Sequence, residues 1–262
     1  MLEVIDKGSV SETHMHPVVF VHGAWHAGWC WDENFLDFFA DRGFRVLAPS
    51  LRGHGSSPSR RPLWMCSIAD YASDVAAVVE GLPSAPILVG HSLGGFVVQK
   101  YLETHDAPAA VLMASTPPHG QLRSLLRSMI RHPWRSTKFA ISANPSDLYG
   151  TQAGAREYFF GNDAPDSLID AFTRQLQRDS TRAVMFDAVV ADLVDTQRIH
   201  TPMLIVGGQL DQVYTPSDVR STAAAYETEP MIFPGLGHEL MLEPDWAVVA
   251  GCVESWLVSR GL

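Results

Sequence analysis

A chain of 262 residues fits one large α/β domain, or a core domain with an inserted subdomain, and a second independent domain is not expected. The formal net charge of −10 at pH 7 disfavours nucleic-acid binding, which needs a cationic surface. The sequence has no apolar stretch of the roughly 18 residues that span a membrane, and residues 1–16 lack the apolar middle of a secretory signal, so we expect a cytoplasmic protein.

Short apolar runs alternate with amphipathic stretches along most of the chain. The predicted strands are residues 17–21, 44–49, 86–89, 109–114, 203–206 and 231–233, and the predicted helices are 32–42, 68–82, 96–103, 216–226 and 246–257. Strands that alternate with helices predict an α/β fold with a doubly wound, mostly parallel sheet. The functional sites of such sheets lie beyond the carboxyl ends of the strands.

The alternation stops between residues 117 and 198, where amphipathic segments follow one another without a strong strand. We predict a helical cap at 117–198, inserted into a core formed by 1–116 and 199–262. Arg123, Arg127 and Arg131 recur every four residues there, opposite an apolar face. Such a basic face is typically solvated, and attraction of an anionic substrate or an anionic lipid surface stays open as its role.

The segment from Gly90 to Gly95 has the pattern G-x-S-x-G directly after the predicted strand 86–89. This pattern predicts a nucleophile elbow, in which the serine, here Ser92, takes a positive φ on a sharp strand-to-helix turn. The turn leaves almost no room for neighbouring side chains, so Gly90 and Gly94 meet a steric requirement.

A serine hydroxyl needs a base to take its proton and an acid to orient that base. In this architecture the partners follow in the order Ser, Asp or Glu, His. Asp211 and His238 each follow a predicted strand at the sheet edge where Ser92 would lie. Rival carboxylates at Asp187, Asp192 and Asp195 fall in the predicted cap as solvated residues. Other histidines also fall near predicted loops at the site, but only His238 matches both the order and the strand-end position; the others are His22, His26, His54, His91 and His119.

Charge that develops on the substrate oxygen requires hydrogen-bond donors. The backbone N–H of Leu93, directly after the nucleophile, is one predicted donor. The second is the N–H of Ala24 in the loop after strand 17–21, with Trp25 as the alternative.

The motifs His22-Gly23, Arg52 to Ser56, Gly90 to Gly95, Asp211 and Gly237-His238 resemble the α/β-hydrolase superfamily across nearly the whole chain. Two segments, 22–31 and 238–242, further resemble its branch of small-molecule methylesterases and hydroxynitrile lyases. The lyases carry Thr and Lys where this chain has Gly23 and Glu239, so the resemblance favours ester hydrolysis over cyanohydrin cleavage. Dehalogenases and epoxide hydrolases of this fold carry Asp in place of Ser92.

We therefore expect a serine hydrolase that cleaves a small to medium, mainly apolar carboxylic ester without a cofactor or a metal. Thioester, lactone or carbon–carbon bond hydrolysis by the same residues stays open, as does a receptor that binds a ligand without turnover. The three cysteines are odd in number and far apart, which indicates neither a disulfide framework nor a zinc site. We expect no nucleic-acid partner and no stable membrane insertion, and homodimer formation stays open. The predicted substrate-binding residues are Gly23, Trp25, Met129, Trp134, Phe159 and Phe160.

Overall fold

A sheet of seven strands lies at the centre of the computed structural model, which describes residues 1–142 and 144–262. The strands are Val4–Lys7 (β1), Val18–Val21 (β2), Val46–Pro49 (β3), Ile87–His91 (β4), Ala110–Met113 (β5), Met203–Gly208 (β6) and Pro230–Phe233 (β7). Their spatial order is β1-β3-β2-β4-β5-β6-β7, and only β1 is antiparallel to its neighbour. The predicted α/β fold with a mostly parallel sheet is thus confirmed.

Strand β1 is the element that the sequence analysis missed. It has four residues, lies at the edge of the sheet and pairs with one strand only, β3. Its residues are exposed or half-buried, so the short segment carries no continuous apolar run of the kind that marks the inner strands.

Helices connect the strands. They are Trp29–Asp32 (α1), Phe35–Ala40 (α2), Ile68–Val79 (α3), Leu93–Leu102 (α4), Leu122–Arg131 (α5), Pro133–Ser142 (α6), Ser146–Tyr149 (α7), Gln152–Phe159 (α8), Asp166–Gln175 (α9), Pro216–Ala225 (α10) and Trp246–Val258 (α11), with a π-helix at Ala183–Ala191 and 3₁₀ turns at Leu63–Met65 and Thr196–Arg198. The helix predicted at 32–42 is interrupted before Phe35, because Asn34 leaves the helical region at φ −146°. Helix α3 begins with a capping box between Ser67 and Asp70.

The connections explain why the site forms where it does. The chain passes from β2 outward to β3, and then back over β2 to β4. When the chain reverses its direction across the sheet, right-handed crossovers place the connecting helices on opposite faces of the sheet. Accordingly, α3 packs against α4, and α2 packs against α11. The reversal leaves a crevice between the carboxyl ends of β2 and β4, which is where ligands bind in open α/β sheets.

The inner strands form the centre of the hydrophobic core. Every residue of β2, β3, β4, β5 and β6 is buried, whereas the edge strand β7 is only half-buried. Burial on both faces accounts for the continuous apolar runs that predicted these strands. No helix of the described residues is long and apolar enough to cross a membrane.

The described residues between β5 and β6 form several helices joined by turns and contain no strand, and the boundaries of a cap at 117–198 stay a prediction. The basic face of α5 differs from the solvated arrangement that its pattern suggests. Arg127 forms an ion pair with Asp218, and Arg131 donates to the side chain of Gln212 at 2.7 Å. Arg123 is exposed. These contacts attach α5 to the loop that follows β6 and to the first turn of α10.

Candidate active site

Ser92 lies on a strained turn between β4 and α4. Its backbone has φ 52° and ψ −122°, the positive φ that the elbow pattern predicts. A Cβ atom at Gly94 would lie 2.3 Å from the carbonyl oxygen of His22, and one at Gly90 would lie 2.6 Å from the Cα of Gly95. Helix α4 begins at Leu93, three residues earlier than predicted, because the turn leads directly into it.

Three side chains from separate loops form a continuous hydrogen-bond relay. The Nε2 atom of His238 lies 3.0 Å from the Oγ of Ser92, and its Nδ1 lies 2.8 Å from Oδ2 of Asp211. The other oxygen of Asp211 accepts from the backbone N–H groups of Val213 and Tyr214, at 2.7 and 2.9 Å. The carboxylate is therefore held in one orientation, and the serine is within reach of a base.

The environment of His238 keeps it available as a proton acceptor. Burial alone would lower the pKa of His238, but the carboxylate of Asp211, and more weakly that of Glu239, raises the pKa above its ordinary value. All three relay residues are at most 8% exposed. An imidazolium at His238 would thus be stabilised by the carboxylate of Asp211.

Two backbone N–H groups at the site are without an acceptor among the described residues, namely those of Ala24 and Leu93. Both residues line the cavity beside Ser92. The alternative donor, the N–H of Trp25, instead donates to Oδ2 of Asp179 at 3.0 Å. The geometry thus favours Ala24 over Trp25 as the second donor of an oxyanion hole.

Gly23 allows the loop after β2 to approach the elbow. A Cβ atom at this position would lie 2.9 Å from the Cβ of Ser92 and 3.0 Å from a ring nitrogen of His91. Gly23 therefore packs closely against Ser92 and does not line the cavity. This placement differs from its predicted role as a substrate-binding residue.

A mainly apolar cavity of about 230 Å³ extends from Ser92 beneath helices α5–α8. Of the residues predicted to bind the substrate, Trp25 and Met129 line this cavity, whereas Trp134, Phe159 and Phe160 do not. Trp134 is 83% exposed near the start of α6. The sequence analysis missed Leu125, Leu148, Tyr149 and Tyr158, because helical periodicity does not reveal which side of a helix faces inward, and it missed Tyr214 in the loop after β6.

Phe159 and Phe160 pack the wall rather than the cavity. The ring of Phe159 lies 5.8 Å from that of His238 and 4.5 Å from that of Tyr149, measured between centroids. Phe160 packs edge-on against Phe172 at 5.0 Å. The backbone carbonyl of Phe159 also accepts from the N–H of His238 at 2.7 Å, so this segment supports the loop that carries the base.

Two buried imidazoles, those of His22 and His91, form hydrogen bonds with the backbone of neighbouring loops. The Nε2 of His22 accepts from the N–H of Leu51, and burial together with neighbouring His54 lowers the pKa of His22 to about 3. His91 donates from Nε2 to the backbone carbonyl of His238, and its pKa is likewise lowered by burial to about 3. That neither serves as the base stays a prediction.

Two buried acid–imidazole pairs flank the oxyanion loop, and the sequence analysis assigned neither. Oε2 of Glu239 lies 3.3 Å from Nε2 of His26, and Oδ2 of Asp179 lies 3.2 Å from Nε2 of His54. Burial alone would raise the pKa of Glu239, but the imidazoles around it lower that pKa to about 2.

Asp187, expected to be solvated, is 3% exposed and accepts from the N–H of Ile68.

One group of side chains could hold a metal ion among the described residues. His91, His238 and Glu239 offer ligand atoms within 4.8 Å of one another. Both ring nitrogens of His238 are hydrogen-bonded to Ser92 and Asp211, so ligation at this position would disrupt the relay.

The chain is similar to known proteins over most of its length. A model of the alpha/beta hydrolase family matches residues 18–251. The non-heme haloperoxidase of Rhodococcus erythropolis is 31% identical over 237 residues, and the bifunctional esterase/perhydrolase of Acinetobacter calcoaceticus is 30% identical over 239 residues, each match covering 85% of both chains. Methylesterase 18 of Arabidopsis thaliana is 39% identical over 82 residues, which is 30% of each chain.

Proposed function

This chain belongs to the alpha/beta hydrolase family, as its motifs predicted, and from that premise we propose that it hydrolyses a small to medium, mainly apolar carboxylic ester through an acyl-enzyme on Ser92. The observation that carries the proposal is the relay from Asp211 through His238 to Ser92, which opens directly into an apolar cavity. Relatives named as esterases or methylesterases support the same class of substrate.

In the first half of the reaction, Oγ of Ser92 attacks the ester carbonyl while Nε2 of His238 takes its proton. The carbonyl oxygen becomes an oxyanion that accepts hydrogen bonds from the N–H groups of Ala24 and Leu93. His238 then gives its proton to the leaving alcohol, and the acyl group stays on Ser92. Asp211 keeps the proton of His238 on Nδ1, so that Nε2 can act as the base.

In the second half, a water molecule gives a proton to His238 and attacks the acyl carbonyl. The same two backbone donors stabilise the second oxyanion. Collapse of this intermediate releases the acid, and His238 returns its proton to Ser92. No group outside the relay and the two N–H groups is needed for either half.

The shape of the cavity limits the substrate. Its volume of about 230 Å³ and its lining of aromatic and aliphatic side chains suit one apolar group of modest size. Polar groups in the wall are hydrogen-bonded to one another, since the hydroxyl of Ser128 lies 2.9 Å from that of Tyr158 and 3.1 Å from that of Ser136. A charged acyl group would lose its hydration there without an oppositely charged side chain to pair with, because none of the described lining residues carries a charge.

The proposal is tested with p-nitrophenyl acetate, butyrate and octanoate, comparing the wild type with Ser92→Ala. We expect turnover by the wild type and loss of at least roughly 10³-fold in kcat in the variant, because the nucleophile is gone. A fluorophosphonate should label wild-type Ser92 and leave the variant unlabelled. If the wild type and Ser92→Ala are equally inactive across esters, thioesters and lactones, the protein is not a serine hydrolase, and a ligand receptor becomes the better interpretation.

The same acyl panel separates the related reactions, because thioester, lactone and carbon–carbon bond hydrolysis would use the same relay. A second candidate function is transfer of the acyl group to hydrogen peroxide, which the similarity to a bifunctional esterase/perhydrolase favours. Here peroxide replaces water in the second half, and the product is a peracid. Formation of a peracid from an ester and peroxide, at a rate that rises with the concentration of enzyme with an unmodified Ser92, would support this activity. Ester hydrolysis without any peracid would exclude it.

A further inference from the structure

The residue that follows the predicted oxyanion donor is held in a strained conformation. Trp25 has φ +67°, in the left-handed region that residues other than glycine rarely adopt. The residue is only 9% exposed, and its indole ring packs against Phe139 and Tyr149. Strained backbone of this kind persists only where the surroundings hold it, and it concentrates at functional sites.

The backbone of Trp25 is held on both sides by one segment of the chain. Its N–H donates to Oδ2 of Asp179 at 3.0 Å, and its carbonyl accepts from the N–H of Gln177 at 3.0 Å. The side chain of Gln177 also accepts from the N–H of Gly55. Residues 177–179 thus connect two loops of the sheet edge, and they belong to the segment predicted as the cap.

The carboxylate of Asp179 is itself fixed by four donors. Oδ1 accepts from the hydroxyl of Tyr71 at 2.8 Å and from the N–H of Ser180 at 2.6 Å. Oδ2 accepts from Trp25 and lies 3.2 Å from Nε2 of His54. Burial alone would raise the pKa of Asp179, but the charge of His54 and these hydrogen bonds lower it to about 2. Asp179 is therefore an ionised, immobile acceptor.

We propose that Asp179 is a positioning residue that sets the oxyanion hole by binding the Trp25 N–H and leaving the Ala24 N–H aimed at the substrate. The inference rests on the proposed hydrolase function. The N–H groups of Ala24 and Trp25 are consecutive in one short turn. When Asp179 accepts from the Trp25 N–H, it therefore also decides which of the two N–H groups faces Ser92. Because the transition state gains more from the second donor than the bound ester does, this role affects kcat more than KM.

A purely structural role for Asp179 would have different consequences, and the chain offers a matched control. Asp187 lies in the same segment, is 3% exposed, and accepts from the N–H of Ile68 at 3.1 Å. Like Asp179, it joins this segment to the core through a buried carboxylate and a backbone N–H. It does not contact the oxyanion loop among the described residues.

The experiment compares Asp179→Asn with Asp187→Asn in the wild-type background. In Asp179→Asn one carboxylate oxygen becomes an amide nitrogen, which needs an acceptor. Nε2 of His54 can accept from it, because Nδ1 of His54 faces the carbonyl of Arg52, so we expect the nitrogen to take the place of Oδ2 and the hydrogen bond from the Trp25 N–H to break. We expect kcat to fall by about 10- to 100-fold, since misplacing a group by about 1 Å has an effect of that size. KM and the thermal midpoint of Asp179→Asn should stay close to those of Asp187→Asn, whose kcat should stay near wild type.

A fluorophosphonate measures the same geometry without a natural substrate, because its phosphonyl oxygen also uses the two backbone donors. Its rate of reaction with Ser92 should fall in Asp179→Asn and not in Asp187→Asn. If Asp179→Asn does not fold, Tyr71→Phe removes one donor from Asp179 and should lower kcat and the labelling rate several-fold.

Equal kcat and equal labelling rates in the two asparagine variants would overturn the inference, as would a rise in KM at unchanged kcat. Either result leaves hydrolysis by the wild type intact. Failure of the proposed function looks different, because the wild type itself would then neither hydrolyse esters nor react with the fluorophosphonate.

Discussion

Replacement of Asp211 by asparagine should reverse the tautomer of His238. One oxygen of Asp211 accepts from two backbone N–H groups, those of Val213 and Tyr214, at 2.7 and 2.9 Å. In Asp211→Asn the amide oxygen must stay with these donors, because an amide N–H₂ there would face them without an acceptor. The amide nitrogen then faces Nδ1 of His238 at about the present 2.8 Å and can only donate to it.

His238 would consequently carry its proton on Nε2, the atom that faces Ser92. A histidine held in this tautomer cannot take the serine proton, and the loss in kcat is roughly 10⁴-fold, or about 5.5 kcal/mol in the activation free energy. The substrate cavity is unchanged, so KM should change little.

The assay is p-nitrophenyl ester turnover, with the thermal midpoint measured in parallel. Asp74→Asn is the control, because Asp74 is 5% exposed and binds Arg52 in an ion pair outside the site. This variant should lose stability and keep kcat. A folded Asp211→Asn protein that loses less than about 10-fold in kcat would refute the assignment of Asp211, since another group would then orient His238.

Three further outcomes follow from the structure. The Glu239 carboxylate raises the pKa of His238, so Glu239→Gln should lower that pKa and move the acid limb of the kcat/KM profile to lower pH; an unchanged limb would contradict this coupling. Gly94→Ala places a Cβ atom 2.3 Å from a backbone carbonyl oxygen and should cost about 1–3 kcal/mol in denaturant unfolding, whereas Gly251→Ala, with nothing within 4 Å, should not destabilise. Trp134→Ala should leave KM for octanoate esters unchanged, because the 83% exposed side chain lies outside the cavity, and a large rise in KM would place Trp134 in the binding site.

The part of the site that could be predicted from the sequence depends on local chemistry. The turn at Ser92 requires glycine on both sides whatever the rest of the chain does, so its positive φ could be predicted from six residues. Asp211 and His238 could be placed because parallel strands bring their carboxyl ends to one edge of the sheet. The strands themselves are buried on both faces, and continuous apolar runs make them visible.

The remaining features depend on contacts between segments that lie far apart in the sequence. Trp134 and Tyr149 both lie in amphipathic segments, and only the packing of the helices places one in solvent and the other in the cavity wall. Asp179 binds Trp25 across 154 positions, a pairing that no local spacing encodes.

The sequence by itself thus determined the α/β fold, the elbow at Ser92 and the order of its partners, because each follows from backbone sterics or from strand direction. Tertiary structure alone decided which residues line the cavity and which amide, that of Ala24 or that of Trp25, has no acceptor among the described residues. Those choices depend on side-chain directions in helices of similar composition and on a buried carboxylate at position 179, where burial and hydrogen bonding act between distant residues.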